Sequence, residues 1–240
     1  MSKIEWTAYE ETFRIRSQET AEDGRLTVVS LVRLMQEAAH RHTLELGVSL
    51  HELQVEKKAW VLLRQRIEWS DLPKMDETLH IKTYPSSIDR LYTQRDFYAI
   101  DATGQEVATA ATTWMLFDTQ RRRPTRLPRL ISDIEFPSGL PVLSKPKLPD
   151  AISELTDTGV SYHIGYHDVD YVGHLTNTKH LEWLMEGYCK RGGSMLEGEV
   201  TVAYEAEARQ GDVVRLSTGA GGATLYNAQD KVVSRMSWSE

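Results

Sequence analysis

The stretch His167-Asp168-Val169-Asp170-Tyr171-Val172-Gly173-His174-Leu175 decides how this chain is read, because the chain contains it almost twice. Residues 15–38 align with 164–187 without a gap. Ile15/Ile164, Gly24/Gly173, Leu26/Leu175, Thr27/Thr176 and Glu37/Glu186 are identical, and Met35/Leu184 is an apolar exchange. The shared plan is a strand, a tight loop holding a glycine, then a helix with an apolar stripe. The chemistry is not shared, since Asp170 and His174 stand opposite Ala21 and Arg25. One copy keeps groups that can react, and the other keeps the scaffold.

Working outward, Glu11 to Ser17 reads as a strand and Val28 to Leu46 as a long helix. Val32, Met35, Ala39 and Leu46, with Leu31, Leu34 and Ala38, recur at helical spacing. Thr27 is a candidate N-cap and Gly47 a candidate stop. Strands follow over Trp60–Trp69 and Glu77–Tyr84. Asp101-Ala102-Thr103-Gly104 is a turn sequence that joins 96–100 to 106–117 as a hairpin. The order then repeats: a strand at 161–166, a helix at about 177–190, strands at 199–207 and 212–218, and a hairpin from 223–226 to 232–236 around Asn227–Asp230. Between the repeats lie Pro137, Pro141, Pro146 and Pro149, half of the chain's eight prolines. Proline lacks an amide donor and fixes φ, so no helix or central strand runs through that segment. The expected division is therefore 1–134, a linker at 135–157, and 158–240. Each half is an α+β layer, one amphipathic helix on an antiparallel meander. The halves would pair their sheets like a dimer fused into one chain.

Composition narrows the function. A net charge of −7 over 240 residues offers no global attraction for nucleic acid or an acidic membrane. A single cysteine permits no internal disulfide and fits a reducing compartment. Met1 to Trp6 carries an early acid and no apolar run, unlike a signal peptide. No stretch reaches the length of a transmembrane span. The expectation is a cytoplasmic protein without nucleic-acid partners or membrane insertion. No paired C-x-x-C, H-E-x-x-H, P-loop or dinucleotide fingerprint occurs, so no metal or cofactor is expected.

The loop at 168–175, followed by Leu181-Glu182-Trp183, resembles the second-half motif of the acyl-acyl-carrier-protein (acyl-ACP) thioesterases of bacteria and plant plastids. Trp60-Val61-Leu62-Leu63-Arg64 resembles their first-half strand. Thr113-Trp114-Met115, Thr119-Gln120-Arg121-Arg122 and Arg126-Leu127-Pro128 resemble the end of that half. Ala203-Tyr204-Glu205-Ala206-Glu207-Ala208 and Gly211-Asp212 resemble the acidic strand of the second. The resemblance implies a tandem, or double, hotdog. It also implies hydrolysis of acyl-ACP to a free fatty acid, in fatty acid biosynthesis and without a cofactor. Two departures stand out. Val172 occupies a position where the family usually has Asn, and Ala208 one where plant members carry Cys. The alternatives are a hotdog thioesterase acting on acyl-coenzyme A, and a non-catalytic acyl-thioester-binding protein, which those two positions would suit.

Thioester hydrolysis needs a base for water and donors for the developing oxyanion. The resemblance places Asp170, His174 and Glu207 in the catalytic role. The bland readings are a helix cap, a structural histidine and a solvated strand acid. Thr176 and Asn177, at the helix start, are substrate-binding candidates and also the natural cap positions. Asp71 is the expected first-half counterpart of Glu207, but Ala21 and Arg25 stand opposite Asp170 and His174, so a second complete site is not expected, and the first half is expected to build the acyl-chain pocket. Cys189, in the helix body, is expected to be a small buried apolar residue. Arg121, Arg122, Arg123, Arg126 and Arg129 crowd one loop of an acidic protein. Arg122 and Arg123 are therefore candidates for holding an acidic carrier protein, against the alternative of a solvated loop. Exposed sheet edges leave a homodimer open.

Overall fold

A computed structural model describes residues 8–89, 91–127, 139–149, 152 and 154–238. The chain divides into two compact units. The first comprises Met1–Leu63 with Trp69–Pro146, and the second Arg64–Glu68 with Lys147–Glu240.

In the first unit, β1 (Tyr9–Arg14) leads through a one-turn 3-10 helix to α1 (Val28–Glu45). Thr27 caps α1 by accepting from the Ser30 amide at 3.1 Å. Gly47, at φ +66°, follows its end. The short helix α2 (Leu50–Val55) was not expected; Ser49 and Glu52 form a capping box around its start, a signature the sequence contains. Strands β2 (Lys58–Ser70), β3 (Thr78–Ile88), β4 (Tyr92–Asp101) and β5 (Glu106–Asp118) follow, and Arg123–Pro124 adds a two-residue β6 against β5. The order is β1-β3-β4-β5-β2, antiparallel from β1 through β5. The expected hairpin at 101–104 joins β4 to β5, with the Asp101 carboxylate accepting from Thr103 and Gln105 amides. Residues Leu31, Val32, Met35 and Ala38 of α1 are buried with Leu79, Ile81, Phe97 and Ala99 of the sheet. A buried polar group interrupts this layer: the Arg95 guanidinium meets His42 Nδ1 at 3.1 Å and Thr83 Oγ1 at 3.2 Å. Burial lowers the His42 pKa to about 3, with Arg95 adding to the effect.

In the second unit, β7 (Thr156–His163) leads through a matching 3-10 turn and loop to α3 (Asn177–Lys190). After it come β8 (Glu197–Tyr204), β9 (Val213–Gly219), β10 (Gly222–Asn227) and β11 (Val232–Trp238). The antiparallel order is β8-β11-β10-β9-β7. Leu181, Trp183, Leu184 and Tyr188 of α3 are buried with Val202, Leu216, Leu225 and Met236. Gly187 lies where a Cβ would sit 2.9 Å from Ala223 and Thr218, so only glycine lets α3 lie this close to the sheet. The helix-then-meander plan of each half is thus present. Strand limits differ from the sequence reading: β1 and β7 end earlier, and β8 stops at Tyr204, which leaves Glu207 beyond the strand.

The proline segment is without helix or strand over its described residues 139–149, while Pro137 lies outside the described residues. It is not loose. Pro141 O accepts from Tyr84 at 2.6 Å, Leu143 O accepts from Gln94 at 2.8 Å, and the Leu143 amide donates to Asp96 at 2.9 Å. The last of these, with Gln94 Nε2 donating to the other oxygen at 2.9 Å, satisfies Asp96, a fully buried carboxylate on the sheet face away from Arg95.

Candidate active site

The second-unit loop is a stack of main-chain bonds. Ile164 N donates to Asp212 O, and Gly211 N to Ile164 O, each at 2.9 Å. Asp168 Oδ2 accepts from Gly165 N at 2.8 Å, closing the 3-10 turn. Asp170 and His174 then close a tight turn: Asp170 N donates to His174 O at 2.8 Å, and Gly173 N to Asp170 O at 3.0 Å. Gly173 takes φ +81°, a conformation costly for any residue with a Cβ.

Asp170 is half-buried in this turn. Its Oδ1 accepts from Val172 N at 2.9 Å and His174 N at 3.0 Å. The loop amides, rather than the first amides of α3, are therefore its partners. Its other oxygen makes no hydrogen bond among the described residues. The cap of α3 belongs to Thr176, whose Oγ1 accepts from Lys179 N at 3.3 Å. The Asn177 main-chain oxygen accepts from the Tyr204 hydroxyl at 3.4 Å. Both substrate-binding candidates thus have structural duties at the helix start.

His174 and Glu207 come together. Leu175 N donates to Ala208 O at 2.7 Å, which brings the end of the loop beside the segment after β8. His174 Nε2 lies 3.4 Å from Glu207 Oε2, with their side chains 27% and 37% exposed, so both are open to a ligand. A residue not singled out in the sequence completes the group. One guanidinium nitrogen of Arg209 lies 3.1 Å from His174 Nε2 and 3.3 Å from Glu207 Oε2. Its position two residues after Glu207 was the available signal. His180 was also passed over. It is buried, with Nδ1 3.0 Å from Ser234 Oγ and its ring edge-on to Tyr204, and burial lowers its pKa to about 3.

Two expectations need correction. Cys189 is exposed, not buried, and its Sγ lies 3.5 Å from Met195 Sδ. It lies late in α3, whose apolar stripe faces the sheet through other positions. Partial desolvation and the Glu186 carboxylate raise its pKa, which disfavours a thiolate. The counterpart of Glu207 is Leu72, not Asp71. Ile15 bonds Glu77 O and Asp76 N as Ile164 bonds Asp212 O and Gly211 N, and Leu26 N donates to Pro73 O as Leu175 N does to Ala208 O. That register sets Lys74 against Arg209 and Leu72 against Glu207. Asp71 still reaches the corner, where it pairs with Arg25 at 2.5 Å.

Arg122 and Arg123 lie in the first unit, exposed at the turn between β5 and β6. Asp118 organises that turn by accepting from the Gln120 and Arg121 amides. Arg129 lies outside the described residues. No helix among the described residues is long and apolar enough to cross a membrane.

A long helix laid on an antiparallel sheet, twice in one chain, defines a double hotdog. Solved structures agree in fold. A protein from Lactobacillus plantarum described as an oleoyl thioesterase superposes with a TM-score of 0.81 at 22% identity, over 97% of this chain and 95% of its own. The 12:0-ACP thioesterase of Umbellularia californica gives 0.76 at 19%, over 97% of each. Residues 7–134 match the acyl-ACP thioesterase N-terminal domain and residues 153–236 the acyl-ACP thioesterase C-terminal domain. The chain belongs to the acyl-ACP thioesterase family. Among curated relatives, the chloroplastic oleoyl-acyl carrier protein thioesterase 2 of Arabidopsis thaliana is 26% identical over 247 residues, and the chloroplastic oleoyl-acyl carrier protein thioesterase of Coriandrum sativum 27% over 225. Those matches cover 95% and 86% of this chain but only 66% and 61% of the relatives.

Proposed function

We propose that this chain hydrolyses acyl-ACP thioesters to the free fatty acid and the carrier thiol, with Asp170, His174 and Glu207 as its catalytic groups. The observation that carries the reading is the convergence of His174 and Glu207 at 3.4 Å beside a turn that Asp170 organises, inside the match to the C-terminal domain of the family. Water adds to the thioester carbonyl carbon while a site base takes its proton. The tetrahedral intermediate collapses, the C–S bond breaks, and the proton passes to the leaving thiolate. His174 takes that proton in this reading, since its part-exposed ring can carry a proton at Nε2, beside Glu207. Asp170 holds the turn with one oxygen and offers the other to water. Val172 contributes only its amide, so a substrate-positioning side chain at this place is not part of the proposal.

Hydrolysis of a panel of acyl-ACPs, with matched coenzyme A thioesters in parallel, tests the reading. Turnover favouring the carrier supports it. Turnover favouring coenzyme A moves the substrate class, and tight acyl-thioester binding without turnover makes the chain a binding protein. The cytoplasmic setting, which the single cysteine supports, belongs to the same proposal and is read by fractionation.

A further inference from the structure

Arg209 makes no appearance in the chemistry above, yet it touches both His174 and Glu207. Its side chain is 56% exposed, and its only described side-chain partners are those two groups. Its main-chain amide is held separately, donating to Asp212 at 2.8 Å, so the backbone there does not depend on the guanidinium. A guanidinium has donors and no acceptor, so the nitrogen it meets at 3.1 Å must present a lone pair. His174 Nε2 therefore carries no proton in this arrangement, and the ring proton sits on Nδ1. An imidazole of that tautomer cannot donate to Glu207, which explains why they stand 3.4 Å apart with the guanidinium bonded to each.

We propose that Arg209 is a positioning residue of this site: it fixes the tautomer of His174 with the lone pair on Nε2 and keeps that nitrogen from pairing with Glu207. The inference deepens the hydrolytic reading and rests on it. The guanidinium holds that lone pair on Nε2, in a part-exposed corner, and water must replace the guanidinium there before His174 acts as its base. Without Arg209, Glu207 would draw a proton onto Nε2, and the lone pair would turn to Nδ1, away from the water. The charged side chains recorded against the ring are Glu207 and Arg209 from the segment after β8, while Asp170 bonds the main-chain amide of His174. Removing the guanidinium leaves the Glu207 carboxylate as the charged neighbour of the imidazole.

The test compares wild type with Arg209→Met and Arg209→Lys. Ring 1H–15N correlations assign the tautomer of His174 in the protein without substrate, the signal being identified by its loss in His174→Gln. The expected result is bare Nε2 in wild type, Nε2–H in Arg209→Met, and bare Nε2 again in Arg209→Lys. On acyl-ACP, Arg209→Met should lower kcat about tenfold, roughly the value of one charge-assisted hydrogen bond. KM should stay within about twofold, and the acidic limb of the pH–rate profile should move to higher pH. Arg209→Lys should recover most of kcat and the limb. Nε2–H in the wild-type ring would overturn the proposal. So would a wild-type kcat and pH profile in Arg209→Met, or a loss of kcat that tracks lowered Tm with an unchanged tautomer. If wild type hydrolyses no thioester at all, the hydrolytic reading fails, while the ring correlations still decide what Arg209 does to His174.

Discussion

The loop at 15–27 and the loop at 164–176 are built to one pattern and diverge only in what they display. Main-chain bonds agree pair by pair: Ala21 N to Arg25 O and Asp170 N to His174 O are both 2.8 Å, while Gly24 N to Ala21 O and Gly173 N to Asp170 O are 2.9 and 3.0 Å. Thr27 and Thr176 both cap their helices, and Glu19 and Asp168 both close the 3-10 turn through a carboxylate. Yet the acceptor for the last amide of the turn has moved. In the second copy it is Asp170, which also faces outward. In the first copy Arg25 N donates to Asp23, at 3.0 Å, and position 21 is alanine. The acid that the turn requires can thus be supplied from either of two positions, 21 or 23 in first-copy numbering. The outer faces differ too. Tyr162 stacks on Trp183 at 4.4 Å, whereas the corresponding Phe13 and Leu34 line an open groove of about 560 Å³.

The comparison breaks first at Asp170. Asparagine keeps Oδ1, so Asp170→Asn should preserve both amide bonds and the fold while losing the charge. Turnover of acyl-ACP should fall by about 100-fold or more, the usual scale for a lost base or charged group. Asp170→Ala should lose the same activity and also stability, because two half-buried amides lose their acceptor. Wild-type turnover in a folded Asp170→Asn protein would remove Asp170 from the site.

A smaller effect is expected at the arginine turn of the first unit. Arg122→Glu with Arg123→Glu should raise KM for acyl-ACP several-fold and leave kcat nearly unchanged, since a local field acts mainly on encounter. Raising the salt should shrink the difference, as the Debye length falls from about 10 Å at 0.1 M to about 3 Å at 1 M. Equal KM values at low salt would mean that the carrier docks elsewhere.

Gly24→Ala and Gly173→Ala sharpen the comparison by separating scaffold from chemistry. Both glycines have positive φ and nothing within 4 Å of an added Cβ, so the penalty is purely conformational, about 1–2 kcal/mol each. Denaturant midpoints should fall alike, but only Gly173→Ala should also lower turnover. Matching losses of turnover would show that the first loop is as close to the chemistry as the second.

Cys189→Ser should leave turnover unchanged. The thiol is exposed in the body of α3, without the positive surroundings that stabilise a thiolate. Loss of activity with an intact fold would return it to the site.

Much of this was legible in the sequence because it is periodic or local. The stripe from Val28 to Leu46, the cap at Thr27, the turn at Asp101–Gly104 and the gapless repeat all depend on neighbours within a few residues. Pairing across long separations was harder to read. The register that sets Leu72 against Glu207 follows from Ile15 and Ile164 bonding to Glu77 and Asp212, and a one-residue slip between acidic positions moved the assignment to Asp71. The exposure of Cys189 depends on which face of α3 meets the sheet, and Leu181, Leu184 and Tyr188 decide that. Arg209 was invisible for a related reason: only the closure of Leu175 onto Ala208 brings it to His174.

The smallest expected effect comes from transplanting the second loop's side chains into the first, as Ala21→Asp with Arg25→His. If the two side chains sufficed, the chain would gain a second site. Three observations argue that it will not. Leu72 stands where the second copy has Glu207, so the new histidine would meet no acid in that register. Asp71, which now holds Arg25 at 2.5 Å, sits one residue away and is 73% exposed, with no strand to aim it. Asp23 already satisfies the Arg25 amide, so a second acid at position 21 has no turn to organise. Losing an exposed ion pair should cost no more than about 1 kcal/mol. Titration with a slow substrate analogue should still count one equivalent per chain, and turnover per chain should not rise. Two equivalents, or doubled turnover, would show that the loop alone specifies the site and that the segment after β8 merely accompanies it.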